Sequence, residues 1–367
     1  MIKSKIAFVI PSLSAGGAER VVSTLCNELV LRYDITIIIY TKTVPFYELD
    51  SRINLVYCRN NNSQSINVWQ GIKNNYLLYR KIVQIVKKNK IDLIIGFMTN
   101  SNILTVLAGK TLGLPTIISE RIDPSNSQTN AIWKKLKKFL YPMANSLVVQ
   151  TQPIKSYFSK WLPENKLIIL PNPLVNTFSQ AKEKRVQPIK ENIVLNVGRL
   201  TTQKGQERLI RSFAKINPDN WKLQLVGSGP LEAIYRRLIN DLNMNDKIEL
   251  LGLQQDIIPY YQKAKIFAFP SLYEGFPNAL TEAMYMGLAC ISTDCPTGPS
   301  ELIKNGLNGY LVPMKNHSEF EEKLNMLILN QNLVKIFSEK APLAVTHLET
   351  KNVVAQWEIL IKKVILS

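Results

Sequence analysis

The feature that most constrains this chain is an alternation, run through twice, of short apolar segments with longer amphipathic ones. Ile6 to Ile10, Ile35 to Tyr40, Leu93 to Phe97, Thr116 to Ser119, Leu147 to Gln150 and Leu167 to Leu170 form the first set. Ile193 to Val197, Lys222 to Val226, Ile248 to Leu251, Ile266 to Phe269 and Ala289 to Ser292 form the second. Runs of this length suit strands buried on both faces, and the segments between them carry helical spacing. The repetition predicts an α/β chain of two Rossmann-like domains facing each other across a cleft, with ligands at the carboxyl ends of the strands. At 367 residues the chain has the length for two cores. The polar stretch after Pro171-Asn172-Pro173, through Lys182-Glu183-Lys184-Arg185, reads as the linker. The expected boundaries are 1–175 for an N-terminal domain and 190–348 for a C-terminal domain. A closing helix follows over 349–367, with Val353, Trp357, Ile361 and Ile365 on its apolar stripe, packing back toward the first domain.

Charge narrows the partners. The net charge is +17, and residues 1–170 hold 22 Lys and Arg against 9 Asp and Glu. Nucleic acid and anionic lipid both suit such a field, and charge alone does not choose between them. A hydrophobic content of 46% excludes a disordered chain. No apolar run approaches the roughly 20 residues a spanning helix needs, and the start lacks a cleavable signal, so a cytoplasmic protein is expected. Cys26, Cys58, Cys290 and Cys295 show no metal spacing and read as buried reduced thiols.

Three segments carry candidate chemistry. Ser14-Ala15-Gly16-Gly17-Ala18 follows the first strand and opens a helix, so Gly16 and Gly17 place backbone N–H groups where an anion can approach; a plain tight turn reads equally well, since no GxGxxG is present. Gly198-Arg199-Leu200-Thr201-Thr202-Gln203-Lys204-Gly205 ends the second set's first strand. There Arg199 can fork onto phosphate oxygens and Lys204 can supply a mobile point charge. Glu274-Gly275-Phe276-Pro277-Asn278-Ala279-Leu280-Thr281-Glu282 places Pro277 at a helix start, with the N–H groups of Asn278 to Leu280 and the helix dipole favouring a diphosphate. One carboxylate then reaches sugar hydroxyls and the other the ribose.

The Glu274 to Glu282 segment resembles the E-x7-E motif of glycosyltransferase family 4, whose fold is GT-B. Gly-Gly-Ala-Glu-Arg at Gly16 to Arg20, Gly-Arg-Leu-x3-Lys-Gly at Gly198 to Gly205 and Val-Gly-Ser-Gly-Pro at Val226 to Pro230 stand in that family's order, so the resemblance covers nearly the whole chain. It implies a retaining hexosyl- or N-acetylhexosaminyltransferase in which Arg199 and Lys204 bind the donor diphosphate, Glu274 the sugar hydroxyls and Glu282 the ribose. Gly16, Gly17, Gly198, Gly227, Phe276, Pro277, Asn278, Ala279 and Leu280 then frame a UDP-sugar, with Leu253 near the base. It further implies front-face transfer without a metal, consistent with a sequence that has no Asp-x-Asp. Many members carry a His in the first domain's cleft loop. Here that loop reads Ser119-Glu120-Arg121-Ile122-Asp123-Pro124, so Glu120 and Arg121 take the sugar or acceptor role, with a structural ion pair as the other reading.

The acceptor side points to a membrane. Asn67 to Lys88 reads as a helix with Ile72, Tyr76, Tyr79, Val83 and Val86 on one stripe and Lys73, Arg80 and Lys87 on another. That basic row suits either solvent or a diphosphate. The resembled enzymes, which extend polyprenyl-diphosphate-linked bacterial glycans with N-acetylgalactosamine, use a basic first-domain helix for such an acceptor. Ala131 to Tyr141, with Trp133 and four lysines, suits a headgroup layer and so a peripheral membrane contact. The family resemblance implies that this contact is with the inner face of a bacterial plasma membrane, in lipopolysaccharide, O-antigen or other surface-glycan synthesis. Two rival readings are a UDP-sugar 2-epimerase of the same fold and a basic nucleic-acid-binding protein.

Overall fold

The computed structural model of the protein describes residues 3–60, 68–122, 124, 131–183 and 188–366. Readings that touch Asn67, Asp123, Lys184 and Arg185 lie outside these residues. The chain divides into two compact units, Met1–Pro173 with Thr350–Ser367, and Leu174–Glu349.

The first unit is a seven-stranded sheet of β1 (Lys5–Ile10), β2 (Asp34–Thr41), β3 (Asn54–Arg59), β4 (Leu93–Phe97), β5 (Thr116–Ser119), β6 (Ser146–Val149) and β7 (Leu167–Ile169). Its order is β3-β2-β1-β4-β5-β6-β7, parallel throughout. The connections carry α1 (Gly17–Leu29), α2 (Val68–Lys88), α3 (Thr99–Leu112), α4 (Ala131–Leu140) and α5 (Gln152–Phe158). The pleat explains the apolar runs: Ile6, Phe8 and Ile10 of β1 face one core with Val22, Leu25 and Cys26 of α1. Ala7 and Val9 face the opposite core, with Ile82 and Val86 of α2 and Leu104 and Ala108 of α3. A strand covered on both faces has no polar side to alternate with.

The second unit repeats the plan with α6 (Asn176–Glu183), β8 (Glu191–Val197), α7 (Gln206–Ile216), β9 (Lys222–Val226), α8 (Glu232–Asp241), β10 (Ile248–Gly252), α9 (Ile258–Lys263), β11 (Ala264–Phe269), α10 (Asn278–Tyr285), β12 (Ala289–Asp294), α11 (Pro299–Leu302), β13 (Tyr310–Pro313), α12 (His317–Leu329) and α13 (Gln331–Lys340). Its parallel order is β10-β9-β8-β11-β12-β13. Both sheets reverse direction beside their first strand, and such a switch point opens a crevice at the carboxyl ends.

The last helix, α14 (Thr350–Leu366), belongs to the first unit. Its Val353, Trp357 and Ile361 are buried against β1, β2 and α1, with Val364 buried and Ile365 half-buried against the same core. The Trp357 ring stacks on Phe97 at 5.8 Å between centroids, and Phe97 in turn on Phe8 at 6.0 Å.

Three elements lack the strong pattern that marks the others. β3 is an edge strand, half-buried, whose short apolar run Leu55 to Cys58 is bracketed by Asn54 and Arg59. β13 is a four-residue edge strand ending in Pro313, where no neighbour needs its missing N–H. The stretch read as a linker contains α6, held by Phe178 and Ala181. On α2 the buried stripe is Leu78, Ile82, Ile85 and Val86, while Ile72 and Tyr76 are exposed and Tyr79 and Val83 half-buried.

Replacing Trp357 by Ala removes a fully buried ring from a stacked column and is expected to cost about 3–5 kcal/mol. The same change at Ile359, 69% exposed on the same helix, is expected to stay within about 0.5 kcal/mol. Urea denaturation of both full-length variants measures the difference; equal midpoints would show that α14 adds little to the first unit.

Candidate functional site

In the second unit, the loops leaving β8, β9 and β10 are bound to one another before any side chain is considered. The Gly198 N–H donates to Val226 O at 2.9 Å, Gly227 N–H to Gly252 O at 2.8 Å and Leu200 N–H to Ser228 O at 3.0 Å. Gly227, at φ 140°, permits the close approach, since a Cβ there would meet Gly198 O at 2.1 Å. Gly205, at φ 64°, turns the chain into α7, and a Cβ on it would meet Pro270 O at 2.2 Å. Side chains other than glycine fit neither position.

This turn aims Lys204 back across Gly198. Its Nζ lies 2.7 Å from Glu274 Oε1 and 5.6 Å from the Phe269 ring centre. Arg199, one residue past Gly198, is exposed. Glu274 is 5% exposed and sits on the loop after β11, across the switch point from β8. That loop is fastened on both sides: Leu272 N–H donates to Gln203 O at 2.8 Å, Gln203 Nε2 to Tyr273 O at 2.8 Å, and the Thr297 hydroxyl to Glu274 O. A cation and a carboxylate thus meet at the mouth of the sheet, each held by a backbone that cannot easily shift.

Pro277 is the N-cap of α10 rather than its first helical residue. The Asn278 N–H bonds back to Phe276 O at 3.0 Å, and the first helical bond runs from Thr281 N–H to Pro277 O at 3.0 Å. Helix geometry leaves the N–H groups of Ala279 and Leu280 without an intrahelical acceptor. Phe276 and Leu280 are buried in the core beneath. Glu282, one turn inside and 3% exposed, accepts from the Tyr261 hydroxyl at 2.9 Å on Oε2. Leu253 is exposed beyond β10.

In the first unit several expected ligand contacts are occupied by protein. Gly16 caps α1, and Glu19 folds back so closely that a Gly16 Cβ would meet its Oε2 at 2.2 Å. The helix end beside Gly16 and Gly17 therefore already has an acid against it, as in a capping box. The Glu120 carboxylate, read as a sugar contact, is buried: it accepts from Thr99 Oγ1 at 3.0 Å and from the Tyr141 hydroxyl, and it pairs with Lys137 Nζ at 3.0 Å. Burial and this carboxylate raise the Tyr141 pKa well above the usual phenol range.

Arg121, also read as a sugar contact, is buried with its guanidinium 4.7 Å from the Phe97 ring centre and 5.9 Å from that of Trp357, and it donates to Asn172 Oδ1 at 2.7 Å. Burial lowers its pKa to about 9, which leaves it charged at neutral pH. Glu120, read as a sugar or acceptor contact, is taken up by partners within its own unit, whereas Arg121, among the described residues, makes no ion pair and its buried Nε and Nη2 have no acceptor. Lys137 is likewise no surface lysine. Lys134, Lys135 and Lys138 remain exposed on α4 beside exposed Ile132, Leu136 and Phe139, and Lys73, Arg80 and Lys87 are exposed on α2.

The supporting residues Tyr261, Gln203 and Thr297 were not read from the sequence. None lies in a repeated pattern, and each reaches its partner only through the fold. The cysteines are free; Cys26, Cys290 and Cys295 are buried and Cys58 is half-buried. Burial pushes the Cys58 and Cys295 thiols up to about 12. Among the described residues no cluster of His, Cys, Asp and Glu is arranged to hold a metal ion, and no helix is long and apolar enough to cross a membrane.

Residues 15–175 match the model of Glycosyltransferase Family 4, and residues 178–343 that of Glycosyl transferases group 1. The chain is 27% identical over 365 residues, 98% of its length and 99% of the other's, to the GalNAc-α-(1→4)-GalNAc-α-(1→3)-diNAcBac-PP-undecaprenol α-1,4-N-acetyl-D-galactosaminyltransferase of Campylobacter jejuni. It is 32% identical over 298 residues to a glycosyltransferase of Methanocaldococcus jannaschii, covering 73% of this chain and 72% of that one. In fold it is similar to HepE of Anabaena, solved in complex with UDP, at a TM-score of 0.80 and 18% identity over 98% of this chain and 100% of that one. These matches support neither a 2-epimerase nor a nucleic-acid-binding protein. By sequence and by fold the chain belongs to glycosyltransferase family 4, with the GT-B architecture.

Proposed function

We propose that this glycosyltransferase moves a hexose or N-acetylhexosamine, N-acetylgalactosamine by preference, from a UDP-sugar to a polyprenyl-diphosphate-linked glycan, with retention and without a metal. The observation that carries the reading is the Lys204–Glu274 pair at the mouth of the second sheet. With no donor bound, the two charges neutralise each other. A diphosphate draws Lys204 and the neighbouring Arg199 toward its oxygens, while Glu274 is left to accept hydrogen bonds from sugar hydroxyls. The N–H groups of Ala279 and Leu280 and the α10 dipole add donors for the same anion.

In the transfer step the bond from the anomeric carbon to the β-phosphate oxygen breaks, and the acceptor oxygen attacks from the same face. Its proton passes to the departing phosphate, and UDP leaves with the electron pair. Arg199 and Lys204 stabilise charge that grows only as that bond breaks, which is where binding accelerates a reaction. Glu282 is assigned to the ribose and Leu253 to the base. The Campylobacter jejuni relative, whose name specifies N-acetylgalactosaminyl transfer to an undecaprenol-diphosphate glycan, supports the donor and acceptor chosen here, and the UDP complex of HepE supports the nucleotide.

The acceptor is assigned to the first unit. Lys73, Arg80 and Lys87 form an exposed row on α2 for the acceptor diphosphate. On α4, Ile132, Leu136 and Phe139 fall on one stripe flanked by Lys134, Lys135 and Lys138, the arrangement of a helix that lies in an anionic headgroup layer. The protein then works as a peripheral enzyme at the inner face of a plasma membrane.

UDP release from a panel of UDP-sugars, with and without polyprenyl-diphosphate glycans, tests the reaction. One donor is expected to give acceptor-dependent release, with an α-linked product by its anomeric proton coupling. Glu274→Ala is expected to lower kcat/KM by on the order of 10²–10³. Release or donor conversion that ignores the acceptor would favour the 2-epimerase. For the membrane, replacing Lys134, Lys135 and Lys138 together by Ser is expected to weaken sedimentation with anionic vesicles by roughly two orders of magnitude, at about 1 kcal/mol for each lysine. Unchanged binding would remove α4 from the contact.

A further inference from the structure

We infer that Tyr261 is a positioning residue for the nucleotide: its hydroxyl orients the Glu282 carboxylate toward the ribose. The inference rests on the assignment of Glu282 to the ribose. Tyr261 lies near the end of α9 and is fully buried. Its ring is gripped by Phe178 of α6, 5.6 Å away and edge-on at 69°, and by Phe267 of β11 at 5.9 Å. The hydroxyl is therefore carried on an immobile ring to two groups of α10, Glu282 Oε2 at 2.9 Å and Ala279 O at 3.3 Å.

A carboxylate that is 3% exposed needs protein donors in place of the water it has lost. A carboxylate also offers about four lone-pair directions, and a donor fixed on one oxygen sets the plane and hence the directions available on the other. A ribose presents two neighbouring hydroxyls, which require an acceptor of set orientation. Tyr261 supplies that setting without touching the ligand. A phenylalanine keeps the ring contacts and deletes only the hydroxyl, so the role separates from packing.

The test is calorimetric binding of UDP and of 2′,3′-dideoxy-UDP to the parent, Glu282→Gln and Tyr261→Phe, with thermal unfolding of each. The parent is expected to prefer UDP, and Glu282→Gln to lose most of that preference. Should the preference be absent, or survive Glu282→Gln, the ribose assignment itself fails and takes the inference with it. Given a preference that depends on Glu282, Tyr261→Phe is expected to weaken UDP by roughly tenfold, the effect of one hydrogen bond to a charged group, and to leave the dideoxy analogue unchanged. Equal weakening of both ligands would mean that Tyr261 only supports the fold, and unchanged UDP binding would mean that its hydroxyl does no orienting; either result overturns the inference.

Discussion

A parallel sheet cannot be closed by hairpins. Each strand must be followed by a crossover long enough to return to the starting edge, and both faces must be covered because the crossovers lie on them. This constraint brings every carboxyl strand end to one edge of each sheet. In the second unit the order reverses between β8 and β11, so the loops that leave those strands diverge and open a crevice. Lys204 and Glu274, 70 residues apart in the chain, meet at 2.7 Å because they stand on those two loops. The glycines serve the same end, since Gly205 and Gly227 let neighbouring backbones approach where a Cβ would collide.

The buried charges divide by how they are satisfied. Glu120 receives Thr99 from α3, Lys137 from α4 and Tyr141, so its charge is met entirely by the first unit. Ionic groups taken from water are costly, and such a closed set is retained only with several donors around it. It ties α4 by one inward lysine, beside buried Leu140 and half-buried Trp133, while Lys134, Lys135, Lys138, Ile132, Leu136 and Phe139 turn outward. Arg121 is sheathed by two aromatic rings and bonded to Asn172, next to the point where the chain passes into the second unit. Lys204 and Glu274 differ: they form a simple pair on loops, beside exposed Arg199 and the amino end of α10. A two-member pair on loops can exchange partners more readily than the Glu120 set, which would have to be dismantled.

The misreadings share a cause. β3 and β13 are hard to read because each is a short, incompletely covered edge strand: Leu55 to Cys58 is bracketed by Asn54 and Arg59, and Tyr310-Leu311-Val312 stops at Pro313. Helix α6 was taken for linker because Phe178 and Ala181 give a single helical interval among charged neighbours. On α2 the apolar residues outnumber the buried positions, so the sequence supports more than one stripe, and contact with β3 and α3 selects Leu78, Ile82, Ile85 and Val86. Lys137 looked like its three neighbours, since nothing in the segment itself distinguishes a lysine facing a buried carboxylate.

The sequence by itself determined the α/β class, the doubled Rossmann plan, the family motifs and the places where Arg199, Lys204, Glu274 and Glu282 fall relative to strand and helix ends. These follow from patterns with a reach of a few residues: apolar runs for strands buried on both faces, helical spacing between them, glycine where the backbone must turn. Only the tertiary structure decided which polar groups meet. Glu120 with Lys137, Arg121 with Asn172, and Tyr261 with Glu282 are pairings of residues 17, 51 and 21 positions apart. Their distances are set by the order of strands and the sides on which crossovers lie, and burial then favours a partner for each polar group brought inside, met fully at Glu120 and only in part at Arg121.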